Sequence, residues 1–259
     1  MKYIGERKFV GLENYIDVFT RDDCFNALKL SLYYMVGSVV QLALALLFAT
    51  ILSFNPKGGS FFRGALYFPS LVCGIAVGFI FKYFYTHGFV LDSILGLLGI
   101  PEDMLPFWLK DTRINNWVLV ASSIWRYMGQ NMVLFIGAIA SVDKTQYEAA
   151  AIDGANAWHR FRYIILPSIR TIVVLNMILA ISGSLSVFEI PYVITDGGFG
   201  TSTYFVLMDK LAHANQKVGL ASAMAVVLLV LILVVSGIQK LAERKMNSGV
   251  RVGKRRARK

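Results

Sequence analysis

Three histidines, two cysteines and a charged fraction of only 16% are what this chain of 259 residues has little of. Each scarcity closes a class of function. His87, His159 and His213 fall in different segments of the apolar pattern, so no metal-ligand cluster is expected. Cys24 and Cys73 do not make a disulfide framework, and Cys73, inside an apolar run, reads as a small packing residue. No Gly-x-x-x-x-Gly-Lys-[Ser/Thr] occurs. The stretch Gly249-Val250-Arg251-Val252-Gly253-Lys254-Arg255 has the wrong spacing and lacks the hydroxyl that would hold Mg²⁺. No nucleophile with a convincing base suggests an enzyme, and no internal repeat or low-complexity region appears apart from the basic tail. The first twenty-five residues are polar and the first apolar run is too long for an h-region, which is not the layout of a secretory signal peptide.

Apolar residues are abundant, at 56% against a globular norm of roughly 45–50%. Their distribution gives five candidate spans: Leu30 to Pro56, Gly64 to Phe81, Ile114 to Val142 interrupted by Arg126, Thr171 to Phe188, and Val218 to Gln239. Each can supply the roughly 20 residues a helix needs to cross hydrocarbon. The expected fold is an all-α polytopic helical bundle, one membrane domain over residues 1–259. The net charge of +10 does not call for nucleic acid, because nine of the 26 Lys and Arg lie in the tail 240–259. A basic tail directly after the last span places the C-terminus in the cytoplasm, as the positive-inside rule has it. Contact with anionic lipid is a second reading of Lys254 to Lys259. Working back from that end, the loop 141–167 is also cytoplasmic. In the external loop His87 to Asn115, Ile94, Leu95, Leu97 and Leu98 suggest a short interfacial helix, and Tyr85, Trp108 and Trp117 suit headgroup depth.

The loop 141–167 has its own local logic. Asp143 followed by Gln146 resembles a capping box that opens a short helix through Glu148, Ala149, Ala150 and Ala151. Gly154 permits a turn. Ala155, Trp158, Phe161 and Ile165 then fall at helical spacing on one face, and Pro167 starts the next span. Such an element either docks on a partner or lies amphipathically on the membrane surface. Two polar stripes run within the spans. Ser123, Arg126, Tyr127, Gln130 and Asn131 lie at helical spacing in the third, and Ser182, Ser186 and Glu189 at i, i+4 and i+7 in the fourth. They line a solute route or bond neighbouring helices. An arginine at a helix centre costs about 2.5–3.5 kcal/mol on insertion scales, which favours an inward role for Arg126. Glu189, close to the outer boundary, is not expected to need Arg126 as a partner.

The stretch from Glu148 to Pro167 resembles the EAA loop of ATP-binding-cassette importer permeases: Glu-Ala-Ala, three residues, Gly, nine residues, Ile, one residue, Leu-Pro. Glu148, Ala149, Ala150, Gly154, Ile164, Leu166 and Pro167 fill every fixed position, with Asp153 beside the glycine. Thr195-Asp196-Gly197-Gly198-Phe199-Gly200-Thr201-Ser202-Thr203 resembles the Thr-x-Gly-Gly-Pro-x-x-x-Thr stretch of the sugar branch, with Phe199 where proline is usual. Phe9-Val10-Gly11-Leu12-Glu13-Asn14-Tyr15 resembles a segment that follows a first helix in that branch. The resemblance runs from about Phe9 to about Gln239 and implies six helices, the first missing here. A truncated or mis-started permease, or a natural five-span variant, is therefore expected.

By resemblance, the loop is the coupling helix that fits a groove on an ATPase subunit. Implied partners are a second permease, two ATP-binding-cassette ATPase subunits that bind ATP and Mg, an extracytoplasmic solute-binding protein, a small solute and the lipid bilayer, the chain being a multi-pass protein of a prokaryotic plasma membrane. The chain itself would carry no cofactor and no enzymatic activity. The implied cargo is a sugar or oligosaccharide. A secondary transporter driven by an ion gradient is the alternative, although such proteins commonly show paired repeats and midplane ionisable residues.

Overall fold

The computed structural model describes residues 9–54 and 56–256, with side chains described as far as Leu241. The expectations for the side chains of the basic tail beyond Leu241 lie outside the described residues. All regular structure in the described residues is helical.

A short helix α1 (Glu13–Thr20) leads into α2 (Asp22–Ser53), which begins ahead of the first charge-free run. Asp22 and Asp23 sit in its first turn, where carboxylates favour the positive end of the helix dipole. At 32 residues α2 is about 48 Å long, enough to cross a bilayer and emerge on both sides. The bundle continues with α3 (Gly59–Leu71), α4 (Gly74–Tyr85), α5 (Val90–Leu97) and α6 (Asn115–Ala140). The loop adds α7 (Lys144–Ile152), α8 (Ala157–Arg160), a π turn over Phe161–Ile165 and one turn α9 (Leu166–Ser168). Then come α10 (Arg170–Ser184), α11 (Glu189–Thr195), α12 (Tyr204–Asp209) with a π turn over Lys210–Ala214, and α13 (Val218–Arg256).

Five spans were expected, the third interrupted by Arg126; three or four candidate spans are found among the described residues. Three segments of the described residues are long and apolar enough to cross a membrane: Asp22–Ser53, Arg170–Thr195 and Val218–Leu241. The run Gly64 to Phe81 is not one helix. It is the pair α3 and α4, bent by 100° at a break over Val72 and Cys73, and it makes a fourth span only if the pair is taken together. Pro69 in the last turn of α3 has no N–H to give, and Val72 and Cys73 are extended. Cys73 is thus exposed at a break rather than packed in a span. Helix α6 is long enough, at 26 residues, but Arg126, Gln130 and Asn131 leave it less apolar than the others. The fourth run also breaks. Residues 185–188 are non-helical between α10 and α11.

Helix α6 lies along α2, with α3 and α10 against them. Leu42, Ala45, Ala49, Met132, Phe135 and Ile165 form a core at the end that carries the loop 141–167. Tyr34, Val77, Leu119, Val120, Ile190 and Ile194 fill the middle. At the far end Cys24, Ala27, Tyr204, Leu211 and Met224 pack together, and Gly219 approaches Asn14 of α1. Helix α13 therefore starts at that far end and runs back towards the loop end. The outer faces of α2 and α13 remain apolar, with Leu32, Val36 and Leu47, and Leu229, Leu233 and Ile238, all exposed. An apolar exterior around an interior with buried Gln41, Asn115, Asn116 and Asn176 suits helices whose surroundings are lipid tails or other helices.

At the far end α5 forms where an interfacial helix was expected, with Leu97 and Leu98 exposed. Two of its expected aromatic anchors are otherwise engaged. Tyr85 is buried, and Trp108 donates from Nε1 to Asp92 Oδ1 at 2.6 Å.

Candidate functional site

A cavity of about 610 Å³ opens where α2, α6, α10 and α11 meet. Helix α2 contributes Tyr34, Ser38 and Gln41 to its wall, and α6 contributes Ser123, Tyr127, Gln130 and Asn131. Asn176 and Ser184 come from α10, Ser186 from the break, and Glu189 from the first turn of α11. Leu134, Leu179, Val187 and Ile190 make the intervening wall apolar.

The hydroxyls and amides differ in what remains for a solute. Ser38 donates to Met35 O at 2.8 Å, Ser184 to Ile181 O at 2.6 Å, and Asn176 Nδ2 to Ile172 O at 2.9 Å, all within their own helices. These bonds use donor capacity and leave acceptor lone pairs. By contrast, the Tyr34 hydroxyl is buried without a partner in the described residues. A buried unpaired hydroxyl costs about 1–3 kcal/mol unless something in the cavity bonds it.

Of the sequence-derived stripe residues, Ser123, Tyr127, Gln130, Asn131, Ser186 and Glu189 stand on the cavity wall, and two do not. Ser182 hydrogen-bonds Ser236 across to α13 at 3.2 Å. The i, i+4, i+7 face that grouped it with Ser186 and Glu189 assumed one continuous helix, and the break over 185–188 rotates the later pair away. Arg126 points to Glu189, with Nη1 against Oε2, and forms an ion pair with it. That pairing corrects the expectation that Glu189 stands apart. The break redirects the chain so that α11 returns its first turn to α6. Gly74, just after the bend between α3 and α4, makes room for the pair, because a Cβ there would overlap both Glu189 Oε2 and Arg126 Nη1. Arg126 also lies over the Tyr127 ring, 4.9 Å from its centroid. Gln41 and Asn176 were not singled out from sequence. A lone amide in an apolar run carries no periodic signal, although buried polar residues between membrane helices are a general pointer to function.

The loop 141–167 folds as a helix, a turn and a second helix. Asp143 caps α7 by accepting from Thr145 N–H at 3.0 Å, a bond that holds its carboxyl below the usual carboxylate range. Gly154 then takes φ +72°, the left-handed conformation that closes a helix C-terminus. Asn156, which sequence reasoning passed over, caps α8 by accepting from His159 N–H at 2.9 Å. Phe161, Ile164 and Ile165 seat the second helix on the core at that end. Trp158, placed on the same face by periodicity, is instead 65% exposed, because the π turn shifts the register between it and Ile165. Glu148, Ala149, Asp153, Gly154 and Pro167 are exposed, while Ala150, Ile164 and Leu166 are half-buried. Ile152 is 88% exposed beside them.

The glycine-rich segment after α11 closes the far end of the bundle. Asn115 Nδ2 donates to Phe199 O at 2.7 Å, Asn116 Nδ2 to Gly200 O at 3.2 Å, and Thr203 Oγ1 to Val187 O at 2.7 Å. Phe199 has φ +52°, which the proline ring, fixed near about −65°, cannot adopt. Phe199→Pro is therefore expected to displace both carbonyls from their asparagines. At about 1 kcal/mol for each neutral bond, the loss is roughly 2 kcal/mol. Amide exchange over residues 197–201 should rise accordingly, and unchanged exchange would show that the asparagine bonds do not hold the segment.

The family described as "Binding-protein-dependent transport system inner membrane component" matches residues 41–248. The chain is 30% identical over 232 residues to the "Probable ABC transporter permease protein YesP" of Bacillus subtilis (strain 168), covering 87% of this chain and 74% of that protein. It is 32% identical over 242 residues to the "Arabinooligosaccharides transport system permease protein AraP" of the same organism, covering 90% and 75%. A chain in the crystal structure of a bacterial alginate ABC transporter, in complex with an alginate pentasaccharide-bound periplasmic protein, superposes with a TM-score of 0.84 at 19% identity, covering 92% of this chain and 84% of that one.

Proposed function

Because this chain belongs to the family of binding-protein-dependent transport system inner membrane components, we propose that it is the permease subunit that carries a neutral oligosaccharide through the cavity between α2, α6, α10 and α11. It is a membrane permease. In this reading residues 1–259 form one membrane domain, and its partners are a second permease, two ATPase subunits holding ATP and Mg, and an extracytoplasmic solute-binding protein. The C-terminus and the loop 141–167 are cytoplasmic. ATP binding closes the ATPase pair, pushes the loop as a rigid unit and reorients the helices; hydrolysis resets them. Hydrolysis belongs to the partner.

The observation that carries the solute class is the cavity wall. Amides and hydroxyls set between aliphatic side chains match the alternating hydroxyl and C–H surface of a sugar. Among the described lining residues the one charged side chain is Glu189, while Arg126 is turned onto it and off the wall. The pair carries no net charge, so the wall offers an acidic polysaccharide no free cation to meet its carboxylates. Sugar-transporting relatives such as the arabinooligosaccharide permease fit the same reading.

Gln130→Leu should raise the half-saturating solute concentration for uptake about tenfold, the equivalent of one neutral hydrogen bond. Ser182→Ala, which removes a hydroxyl facing Ser236 instead of the cavity, should leave it within about twofold. Radiolabelled uptake by proteoliposomes holding the whole assembly measures both. Equal effects of the two substitutions would reject the cavity as the route. In the same vesicles, uptake should stop with vanadate and persist with an uncoupler; the reverse would establish the gradient-driven alternative.

A further inference from the structure

A second cavity, of about 410 Å³, lies at the loop end, away from the route just described. Its walls come from separate parts of the chain: Ser53 and Phe54 where α2 ends, Arg63 on α3, the last turns of α6, and Lys144, Tyr147 and Arg160 of the loop. Ile136, Ile139, Ala140 and Val142 make the floor apolar. All three charged side chains on the wall are cations, and no carboxylate is among the described lining residues. Lys144 and Arg160 make no ion pair within the described residues. Arg160 is held in place by its Nε–H bond to Ala155 O at 3.1 Å, and Arg63 by Nη2 to Leu52 O at 2.6 Å. A second, independent feature points to an occupant: the Tyr147 hydroxyl is buried and has no hydrogen-bond partner in the described residues. A hydroxyl in that position costs free energy unless a ligand bonds it.

We propose that this recess binds the phosphate of an anionic phospholipid, bridging the loop to the membrane helices. A phosphodiester offers the acceptors that Arg160, Lys144 and the Tyr147 hydroxyl require, and the glycerol and upper acyl carbons match the aliphatic floor. Position favours a lipid over a free anion, since the recess lies where the apolar runs of α2 and α6 give way to the polar loop. Its consequence is mechanical. A headgroup held by Arg63 on one side and by Lys144 and Arg160 on the other ties the coupling loop to the bundle, so lipid composition sets how stiffly the loop transmits movement. This goes beyond the transport reading and stands independently of the solute.

Native mass spectrometry of the detergent-solubilised transporter assembly, titrated with phosphatidylglycerol, phosphatidylcholine or inorganic phosphate, tests it. Saturable phosphatidylglycerol binding is expected, with phosphatidylcholine at least about tenfold weaker. Lys144→Gln and Arg160→Gln should each weaken phosphatidylglycerol about fivefold, the effect of one cation near an anionic headgroup. Tyr147→Phe keeps the packing and removes only the hydroxyl, and should weaken it by a few-fold. Arg113→Gln, at the opposite end, should change nothing. Inorganic phosphate that displaces the lipid and binds as tightly would replace lipid by a soluble phosphate as the occupant. Equal binding of both lipids, or binding indifferent to all three cavity substitutions, would overturn the site. Binding requires neither ATP nor solute, so its failure is distinguishable from failure of the transport function.

Discussion

Gly129→Ala should lower the melting midpoint of the assembly by roughly 6–12 °C, the equivalent of about 3 kcal/mol for a chain of this size. Helix α3 lies so close to α6 that a Cβ on Gly129 would overlap the Leu66 carbonyl and stand 2.8 Å from Tyr67 Cα. Those atoms are backbone, so no rotamer change relieves the clash, and the two helices must separate. Between membrane helices, where apolar exclusion contributes little, close approach over small residues is a principal source of affinity. Gly137→Ala, in the same helix, is the control. Nothing lies within 4 Å of its Cβ, and alanine is the better helix former by about 1 kcal/mol, so its midpoint should hold or rise. Equal midpoints for the two variants would mean that α3 does not rest on α6 at Leu66.

The second large effect concerns the loop 141–167, which the proposed function makes the dock for an ATPase subunit. Glu148→Lys should reduce capture of the ATPase partner at least about a hundredfold, since a reversed charge faces whatever cation the carboxylate met. Glu148 is exposed and has no ion pair in the described residues, so the substitution leaves the fold intact. Gly154 tests geometry instead of charge. Its φ of +72° would strain any residue with a Cβ, yet no atom lies within 4 Å of that Cβ. Gly154→Asn, which tolerates the left-handed region, should therefore retain capture, while Gly154→Val, which does not, should lose it together with the order of the turn. Co-purification of the assembly, with the second permease as internal control, reads both. Undiminished capture by Glu148→Lys and Gly154→Val would remove these residues from the dock.

How much could be read from the residues alone depended on the range of the interactions. The loop was legible because its signals are local: Asp143 caps within two residues, Gly154 turns within one, and Ile165 and Pro167 join the next helix. Even there the π turn over Phe161–Ile165 moved Trp158 outward, a shift of one residue that periodicity does not register. The apolar runs identified membrane-length segments, but charge-free length does not distinguish one straight helix from two at 100°. Pro69 and the extended Val72 and Cys73 made that distinction in the second run.

Class and the local structure of the loop were determined by the sequence, since composition and short-range backbone preferences act without reference to distant residues. The cavity was decided only by the tertiary structure. Breaks after Leu71 and Ser184 fold the chain back, bring Glu189 onto Arg126 across Gly74, and turn Ser182 to α13 while Ser186 faces inward. Gln41, Asn176 and the Tyr34 hydroxyl meet on its wall from two helices far apart in the chain. A helical period fixes which residues share a face as long as the helix is unbroken. Which faces meet, and what they enclose, follows from where the helices bend and how closely their backbones can approach.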